Sequence, residues 1–359
     1  MTVGIIGCSG EIGKGIAEYF LKKDYIVYGV QRHEIVDLTE HENFKQIIFD
    51  INDTAKLKKF ASVCDMIINC IAPAYRHSHS IARTAGEAGC IYLDLTDCIV
   101  SSELPKNGTY ITSCGFIPGL SAILPKLIVE KYFDKVDSMI LFQGGTVLCS
   151  ERALTDIILS SEQSGYGDSY YNNGKAERLT INPRKRFMLS IIGNEVFLKP
   201  YLSDEMIDLA ERMNVSCLKW FNAYENISQF TFFLKLIGIV DSGDQEKMSA
   251  FVAKERSKRA DSDRKLYSAM FGDVIGIKDN VEKCVRFVLS FSNMNKICSI
   301  SAAVIGDRVL NSDIGTGMYF GYQFAEQEIL LKIQEYLDES DVFDIKEVAI
   351  SSSFKNLWL

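Results

Sequence analysis

The chain has 359 residues, a net charge of −8 and a pI near 5.2. This length predicts two domains, and the acidic balance excludes nucleic acid and anionic membranes as main partners. Ten cysteines are spread singly, with neither a Cys-x-x-Cys pair nor a Cys/His cluster, which excludes a zinc site and indicates reduced thiols. No apolar run is long enough to span a membrane and no signal peptide precedes the first strand pattern, so we expect a soluble cytoplasmic protein.

The chain opens with a strand pattern, a glycine turn and a helix pattern. Apolar residues 3–6 predict a buried strand, Gly7-Cys8-Ser9-Gly10-Glu11-Ile12-Gly13 follows, and residues 15–21 repeat apolar side chains at helical spacing. In this context the glycines allow a tight turn and a close approach of the backbone to a pyrophosphate at the helix N-terminus. The alternative is a turn that needs glycines only for its backbone. The pattern predicts a dinucleotide site that includes Gly7, Ser9, Gly10, Glu11 and Ile12.

The residues that end the second predicted strand indicate which dinucleotide binds. Residues 25–30 form the strand pattern, and Gln31 and Arg32 follow it. A site for NAD places a carboxylate here to bind the ribose 2′-hydroxyl, but the first carboxylate is Glu34. Arg32 instead offers a planar, permanently charged group suited to a 2′-phosphate. Gln31 and Arg32 therefore predict NADP as the cofactor, the alternative being a solvent-facing arginine at a strand end.

The first third of the chain continues to alternate strands and helices. Further strands are predicted at 44–49, 66–72, 90–94 and 108–113, and helices at 54–62, 77–88 and 119–131. This alternation predicts an α/β fold whose N-terminal domain is a Rossmann-type, doubly wound parallel sheet. Ligands of such sheets lie at the carboxyl ends of the strands, which adds Asp50, Ile51, Cys70, Ala72 and Pro73 to the predicted cofactor site.

The pattern changes after about residue 125. A strand at 136–142 leads into Gln143-Gly144-Gly145, and further strands are expected at 178–181, 195–198 and 297–305, with helices at 203–213, 230–239, 247–259 and 280–289. Strands followed by helices predict a second, α+β domain. Gly315-Thr316-Gly317 is expected to open a long helix through about Tyr336 that returns to the first domain. The predicted domains are 1–125, completed by about 312–340, and 126–311.

Four pieces of the sequence resemble the saccharopine dehydrogenase-like family. They are the Gly7–Gly13 turn, the block from Ile67 to Asp97, the Gly-x-x-Pro-Gly match at 115–119, and Gly144-Gly145 with the later Tyr171-Asn172-Asn173-Gly174-Lys175. The resemblance implies a Rossmann domain plus a domain for substrate binding and dimerisation, hence a homodimer. It also implies NADP-dependent reduction of an imine between an amino acid amine and an oxo compound. Thr146 follows the glycine pair where the family has proline, so the resemblance does not extend to saccharopine as the substrate.

Hydride transfer needs a held nicotinamide and a proton source. His77, just after the fourth predicted strand, is the candidate proton donor, and Asp97 is the candidate that orients a substrate amine. The alternatives are a histidine bonded to backbone at a helix start and an aspartate that caps a helix. Tyr75 and Phe116 are expected beside the nicotinamide. The predicted substrate residues of the second domain are Arg152, for a carboxylate, and Tyr166, Tyr171 and Lys175, although such residues are also common on ordinary surfaces.

Two other functions are compatible with the same residues. One is a non-catalytic NADP-binding regulator that senses cofactor redox state through a partner. The other is a reductase of a simple carbonyl or an activated double bond. Fold alone does not separate them, because function depends on the site. A regulator would need no carboxylate-binding arginine and would bind both redox forms of the cofactor equally.

Overall fold

The computed structural model describes residues 1–34, 41–99, 101–147, 150–161, 165–182, 185–189, 191–260 and 266–354. The chain divides into two compact units. The first unit is Met1–Ile123 with Met294–Tyr336, and the second is Leu124–Asn293 with Leu337–Leu359. Among the described residues, no helix combines the length and the apolar character needed to cross a membrane.

The elements of the N-terminal third follow one another as alternating strands and helices. In chain order they are β1 (Thr2–Ile6), α1 (Glu11–Leu21), β2 (Ile26–Gln31), β3 (Phe44–Ile48), α2 (Thr54–Ala61), β4 (Met66–Asn69), α3 (Ala74–Ala88), β5 (Ile91–Asp94), β6 (Thr109–Thr112) and α4 (Leu120–Tyr132).

The remaining elements are longer strands with groups of helices between them. They are β7 (Lys135–Gly145), α5 (Glu151–Ser161), β8 (Gly165–Gly167), β9 (Ser169–Asn172), β10 (Lys175–Arg178), β11 (Phe187–Leu189), β12 (Asn194–Ser203), α6 (Asp204–Arg212), β13 (Cys217–Tyr224), α7 (Ile227–Ser242), α8 (Gln245–Ala260), β14 (Ser268–Lys278), β15 (Val281–Phe291), α9 (Met294–Leu310), β16 (Gly317–Phe320), α10 (Glu328–Tyr336) and β17 (Val342–Val348).

The described part of the first unit is built on a parallel sheet in the order β16-β6-β5-β4-β1-β2-β3. All neighbouring pairs run parallel, and the order reverses at β1, which pairs with β2 on one side and β4 on the other. This confirms the doubly wound sheet predicted from the sequence. The register sets Ile6, the last residue of β1, beside both Val30 and Asn69. The loops after β1, β2 and β4 therefore emerge at one edge, at the point where strand order reverses.

The second unit is an α+β unit, as predicted. Its described strands form a mixed sheet with the path β10-β9-β13-β7-β14-β15-β17, and β12 joins β13 to β11 and β8. Strand β7 runs parallel to β13 and antiparallel to β14. Stacked aromatic rings of Phe142, Phe221 and Phe271 lie at the centre of this sheet. Helices α5, α7 and α8 share an apolar cluster of their own.

The prediction of a helix at 280–289 is wrong, because these residues form the long strand β15. Lys278 of β14 pairs with Val281, and Asp279 and Asn280 between them both have positive φ, at 52° and 62°. Two such residues form the tight turn whose twist matches a β-hairpin. The eleven-residue pairing that follows overrides the apolar spacing that indicated a helix.

The prediction of a strand at 297–305 is also wrong, because these residues lie within helix α9. Most side chains of this segment are buried, so its apolar residues form a nearly continuous run. Periodicity alone cannot separate such a buried helix from a buried strand. Helix α9 packs closely on α1, where a Cβ on Gly15 would lie 2.8 Å from the Ser299 hydroxyl oxygen.

The predicted long helix from Gly317 to Tyr336 is correct only in its last part. Gly317, with φ of 150°, begins strand β16, which extends the parallel sheet beside β6. A helix follows only at α10. The expected return of a C-terminal helix to the first domain is nevertheless confirmed, because α10 belongs to the first unit. That unit also contains α9, whose residues the sequence had assigned to the second domain.

Candidate functional site

The glycine turn after β1 has a backbone that side chains would disturb. Gly7 has φ of +90°, and a Cβ there would lie 2.9 Å from Cγ2 of Ile71. A Cβ on Gly13 would lie 2.8 Å from the Cα of Cys8, so this glycine lets α1 pack against the turn. Gly10 is different, since its Cβ would meet nothing closer than the Gly7 carbonyl oxygen at 3.4 Å. The outer side of the turn is therefore open at Gly10.

The first turn of α1 has hydrogen-bond donors to offer a ligand. Gly10 is the N-cap and provides no side chain to cap the helix. The first i→i−4 hydrogen bond of α1 is donated by the backbone amide of Lys14 to the Gly10 carbonyl at 2.8 Å. Within the described part of the chain, the amides of Glu11, Ile12 and Gly13 have no acceptor. Three such amides at the positive end of a helix dipole form an anion site, and a pyrophosphate fits it.

The ends of β2 and β3 carry the residues predicted for the adenosine part of a cofactor. The side-chain amide nitrogen Nε2 of Gln31 donates to Sγ of Cys8 at 3.5 Å, which connects the end of β2 to the glycine turn. Arg32 follows and is exposed. Asp50 is also exposed, and its Oδ1 accepts from the backbone and side-chain amides of Asn52 at 2.9 and 2.8 Å. Ile51 is half-buried beside it.

A buried polar network lies beneath the loops that follow β4 and β5. The side-chain amide nitrogen Nδ2 of Asn69 lies within donating distance of the Ser78 hydroxyl at 3.0 Å, the Tyr92 hydroxyl at 3.1 Å and the Asp94 carboxylate at 3.2 Å. All four residues are at most 2% exposed, and the Tyr92 hydroxyl also donates to Asp94. Their hydrogen bonds hold one strand end against the next. Sequence reasoning did not assign this network a role, although polar residues inside two apolar strands were its signal.

The same network sets the course of both loops. The Asn69 side-chain oxygen accepts from the Ile71 amide at 3.3 Å, so it fixes the start of the segment that carries Ala72 and Pro73. Oδ1 of Asp94 accepts from the amide and the hydroxyl of Thr96, each at 2.8 Å. The loop on which Asp97 lies is thus shaped by a buried carboxylate.

The Cys70 thiol and the Tyr92 phenol of this region are held in their neutral forms. Burial raises the pKa of the Cys70 thiol, and the nearby Asp94 carboxylate raises it further. Cys70 is therefore protonated near neutral pH and is not a nucleophile. Burial, followed by the charge of Asp94, raises the pKa of Tyr92 well above its usual range, so this phenol keeps its proton.

His77 lies in the first turn of α3 and is half-buried. Its pKa is lowered mainly by burial and also by the positive charges of Arg76 and Arg32, whereas Asp50 opposes the shift. The imidazole is therefore uncharged at neutral pH in the free protein, with one ring nitrogen protonated and the other free to accept a hydrogen bond. The charges that act on it come from α3 and from the ends of β2 and β3. Its predicted role as a proton donor stays a prediction.

The other predicted residues of the first unit are placed as follows. Tyr75 is half-buried, and its hydroxyl accepts from Nε of Arg76 at 2.8 Å. Asp97 is half-buried on the loop after β5, and Phe116 is 6% exposed in the turn before α4. Tyr75 lies in the first turn of α3, and Asp97 and Phe116 lie on the loops after β5 and β6, so all three follow the carboxyl ends of parallel strands. Their contact with a nicotinamide or substrate stays a prediction.

The predicted substrate residues of the second unit lie on four elements. Tyr171 and Lys175 belong to the β9–β10 hairpin, with a turn at Asn173-Gly174, and Tyr171 is only 5% exposed whereas Lys175 is exposed. Tyr166 is exposed on β8, which pairs with β12. Arg152 lies in α5, and its side chain is outside the described part of the structure. Their roles in substrate binding also stay predictions.

Two pairs of polar side chains that the sequence did not nominate lie near the ends of β7 and β13. The amide of Gln143, just before the glycine pair, donates to the side-chain oxygen of Asn222, which also accepts from Nε1 of Trp220 at 3.4 Å. Beyond β13, the Tyr267 hydroxyl donates to Glu225. Parallel β7 and β13 bring these groups to one edge of the second sheet.

No protein-family model matches the chain, and no curated protein matches its sequence. Among solved structures, apo saccharopine dehydrogenase (L-Glu forming) from Saccharomyces cerevisiae aligns with 97% of this chain and 100% of its own, at a TM-score of 0.63 and 14% identity. The regulator NmrA in complex with NADP aligns with 26% of this chain and 32% of its own, at 10% identity and a TM-score of 0.25. The enzyme WbmH of Bordetella bronchiseptica, in complex with NAD⁺, covers 26% of this chain and 38% of its own, at 19% identity and a TM-score of 0.22. The alignment with saccharopine dehydrogenase covers residues of both units, whereas the other two alignments each cover 26% of the chain. The chain therefore has the fold of saccharopine dehydrogenase.

Proposed function

We propose that this protein is an NADPH-dependent oxidoreductase that reduces an imine formed between an amino acid amine and an oxo compound. The observation that carries the proposal is the uncapped N-terminus of α1 behind an open glycine turn, at the strand-order reversal of a parallel sheet. A pyrophosphate satisfies the amides of Glu11, Ile12 and Gly13. The whole-chain fold likeness supports the reaction class by analogy.

The choice of NADP over NAD rests on Arg32. The end of β2 offers no carboxylate for a ribose 2′-hydroxyl, because glutamine occupies position 31. The side-chain amide of Gln31 donates to Cys8. An exposed guanidinium at this position suits a 2′-phosphate, which it would bind through two parallel hydrogen bonds. Asp50 and Ile51 would contact the adenosine, and Cys70, Ala72 and Pro73 would line the path towards the nicotinamide.

The remaining chemistry is positioning. When bound, the nicotinamide supplies a hydride to the imine carbon. Asp97 would orient the substrate amine, Arg152 would bind a substrate carboxylate, and His77 is the donor that the sequence nominates for the nitrogen's proton. The buried Asn69–Asp94 network would keep the loops carrying Pro73 and Asp97 in register with each other. Tyr75 and Phe116 would exclude water from the reacting carbon.

We further propose that the protein acts as a homodimer in the cytoplasm on a small, polar, amino-acid-like substrate. Tyr166, Tyr171 and Lys175 are the substrate residues proposed for the second unit. The amide pair Gln143 and Asn222 adds uncharged groups that suit the polar atoms of such a substrate.

The proposal is tested by following NADPH oxidation with panels of amino acids paired with 2-oxo acids or aldehydes. Turnover that requires both an amine and an oxo compound is the expected result. Turnover with the oxo compound alone would replace the imine by a simple carbonyl substrate. A lack of turnover across the panel, combined with equal affinity for NADP⁺ and NADPH, would instead favour a non-catalytic cofactor sensor.

A further inference from the structure

Four buried side chains connect β4, α3 and β5 through hydrogen bonds, and we call them the Asn69 network: Asn69, Ser78, Tyr92 and Asp94. Nδ2 of Asn69, at the end of β4, lies 3.0 Å from the Ser78 hydroxyl oxygen of α3 and 3.2 Å from the Asp94 carboxylate at the end of β5. The Tyr92 hydroxyl also donates to Asp94. All four side chains belong to residues that are at most 2% exposed, so water does not compete for these bonds.

The Asp94 end of the network continues into the loops after β5 and β6. Oδ1 of Asp94 accepts from the backbone amide and the hydroxyl of Thr96, each at 2.8 Å. The Thr96 carbonyl accepts from the Ser113 amide at 2.8 Å, and the Asp94 carbonyl accepts from the Cys114 amide at 3.1 Å. The buried carboxylate therefore holds the first of these loops, and backbone hydrogen bonds join the second loop to it.

The other end of the network holds the segment after β4 and the start of α3. The Asn69 side-chain oxygen accepts from the Ile71 amide at 3.3 Å, and Ser78 lies in the second turn of α3. The elements held at the two ends of the network carry the residues proposed for the nicotinamide side of the first unit, which are Pro73, Tyr75, His77, Asp97 and Phe116.

The residues proposed for the adenosine half of the cofactor lie on other elements. Gly10 follows β1, Arg32 follows β2 and Asp50 follows β3. Among the described residues, no side-chain hydrogen bond of the Asn69 network reaches these three strand ends. A dinucleotide crosses a doubly wound sheet where the strand order reverses, here at β1, so its two halves lie over different strands. A change in the network should therefore affect one half of the cofactor site.

We propose that Asn69, Tyr92 and Asp94 are positioning residues for the nicotinamide half of the cofactor, and that they contribute to NADPH affinity without touching it. This inference rests on the proposed cofactor. A ligand that binds loops already held in one conformation does not lose affinity by ordering them. Removal of one network hydrogen bond gives the loops more conformations, which binding of the nicotinamide must then restrict. The adenosine half does not bind these loops, so its affinity should not change.

The first experiment is calorimetric titration of the whole protein with NADPH and with 2′,5′-ADP, which lacks the nicotinamide, its ribose and one phosphate. Tyr92→Phe removes one buried hydroxyl and keeps the ring. In this variant NADPH should bind about tenfold more weakly, which is the lower end of what a hydrogen bond to a charged group contributes. Binding of 2′,5′-ADP should equal that of the wild type.

Tyr110→Phe is the matched control for the loss of a buried tyrosine hydroxyl. Tyr110 pairs with Tyr92 on the neighbouring strand β6 and is 3% exposed. Its hydroxyl donates to the Pro105 carbonyl at 3.0 Å, which lies outside the network. This variant should therefore bind both NADPH and 2′,5′-ADP as the wild type does.

A second pair of variants changes the link between Asp94 and the loop after β5. Thr96 is half-buried, so its replacement should leave the fold intact. Thr96→Val is similar in shape but lacks the hydroxyl that donates to Asp94, whereas Thr96→Ser keeps that hydroxyl. NADPH affinity should fall about fivefold in Thr96→Val and recover in Thr96→Ser, with 2′,5′-ADP binding unchanged in both. Recovery by serine separates positioning from packing, because serine is the smaller side chain.

Other results would overturn the inference. Equal weakening of NADPH and 2′,5′-ADP in Tyr92→Phe would make the network a general support of the first unit, and an equal loss in Tyr110→Phe would assign the effect to stability. Unchanged NADPH binding in both Tyr92→Phe and Thr96→Val would make the network dispensable. If Tyr92→Phe does not fold, the two Thr96 variants decide by the same criteria. A wild type that binds neither NADPH nor 2′,5′-ADP would overturn the proposed function itself, before any variant is compared.

Discussion

At the scale of single residues, the cofactor preference is assigned to one side chain. Arg32→Ala should weaken NADPH binding at least tenfold, because a charged hydrogen bond to phosphate contributes about 1.5–3 kcal/mol. NADH binding should hardly change, since NADH has no 2′-phosphate. Direct titration of both cofactors measures this. Arg83→Ala, an exposed arginine on α3 that donates to the Glu103 carbonyl, is the control. A wild type that binds both cofactors equally would contradict the assignment.

Gly10 and Gly13 of the first turn should respond differently to alanine. Gly10→Ala should lower cofactor affinity but leave the melting temperature of the free protein nearly unchanged, because its Cβ would meet only the Gly7 carbonyl oxygen at 3.4 Å. Gly13→Ala should destabilise the free protein, because its Cβ would lie 2.8 Å from a backbone carbon. Thermal unfolding with and without NADPH separates the two effects. Equal loss of stability in both free variants would make Gly10 a packing residue.

At the scale of elements, one buried ion pair connects β14, β15 and the C-terminal segment. Asp273 is fully buried, and its two oxygens accept from Nε and a terminal nitrogen of Arg286 at 2.7 and 2.8 Å. The Phe354 amide donates to the same carboxylate at 2.6 Å, and the guanidinium also donates to the Ser352 carbonyl at 2.9 Å. The Arg286 guanidinium lies 4.0 Å from the centre of the Phe354 ring. Two strands and the segment after β17 thus share one charge pair.

Asp273→Asn should therefore destabilise the second unit by about 3–5 kcal/mol, because it leaves a buried guanidinium without its counter-charge. Glu347→Gln is the matched control in the same sheet. Its carboxylate lies 3.2 Å from Lys283 at the exposed surface, where such a pair contributes about 0–1 kcal/mol. Denaturant unfolding of both variants gives the comparison. A loss for Asp273→Asn no larger than that of the control would show that the pair is dispensable.

The errors of element prediction also belong to this scale. Val281–Phe291 and Ile297–Ile305 are both rich in apolar residues, and spacing indicated the wrong structure for each. The first is a strand because the Asp279-Asn280 turn joins it to β14 over eleven residue pairs. The second is a helix because it is buried against α1, where Gly15 leaves room for it. In both, long-range contacts outweigh local periodicity.

At the scale of the whole molecule, each unit has its own hydrophobic core. One buried cluster surrounds Ile6, Ile67 and Tyr92 in the first unit, and another surrounds Phe142 and Phe271 in the second. All predicted pyrophosphate and 2′-phosphate contacts belong to the first unit. Cofactor binding should therefore stabilise the two cores unequally.

Calorimetric unfolding should show this inequality. NADPH at a hundred times its dissociation constant should raise the stability of the first unit by about 2.7 kcal/mol, while a transition of the second unit should move little. Gly10→Ala at the same NADPH concentration should show a smaller shift. An equal rise in the temperatures of both unfolding transitions would contradict a cofactor site confined to the first unit.

The sequence by itself determined the doubly wound sheet, the position of the glycine turn and the candidate cofactor residues. These depend on short segments, namely a strand, a turn and a helix, whose periodicity and glycine spacing are local properties. Only the tertiary structure decided that α9 packs on α1, that β16 extends the sheet and that β15 is a strand. It also decided that Asn69, Tyr92 and Asp94 form one buried network. Burial of the His77 ring, which lowers its pKa, was likewise decided only by the tertiary structure. Those features depend on residues far apart in the chain, whose burial and pairing no local pattern records.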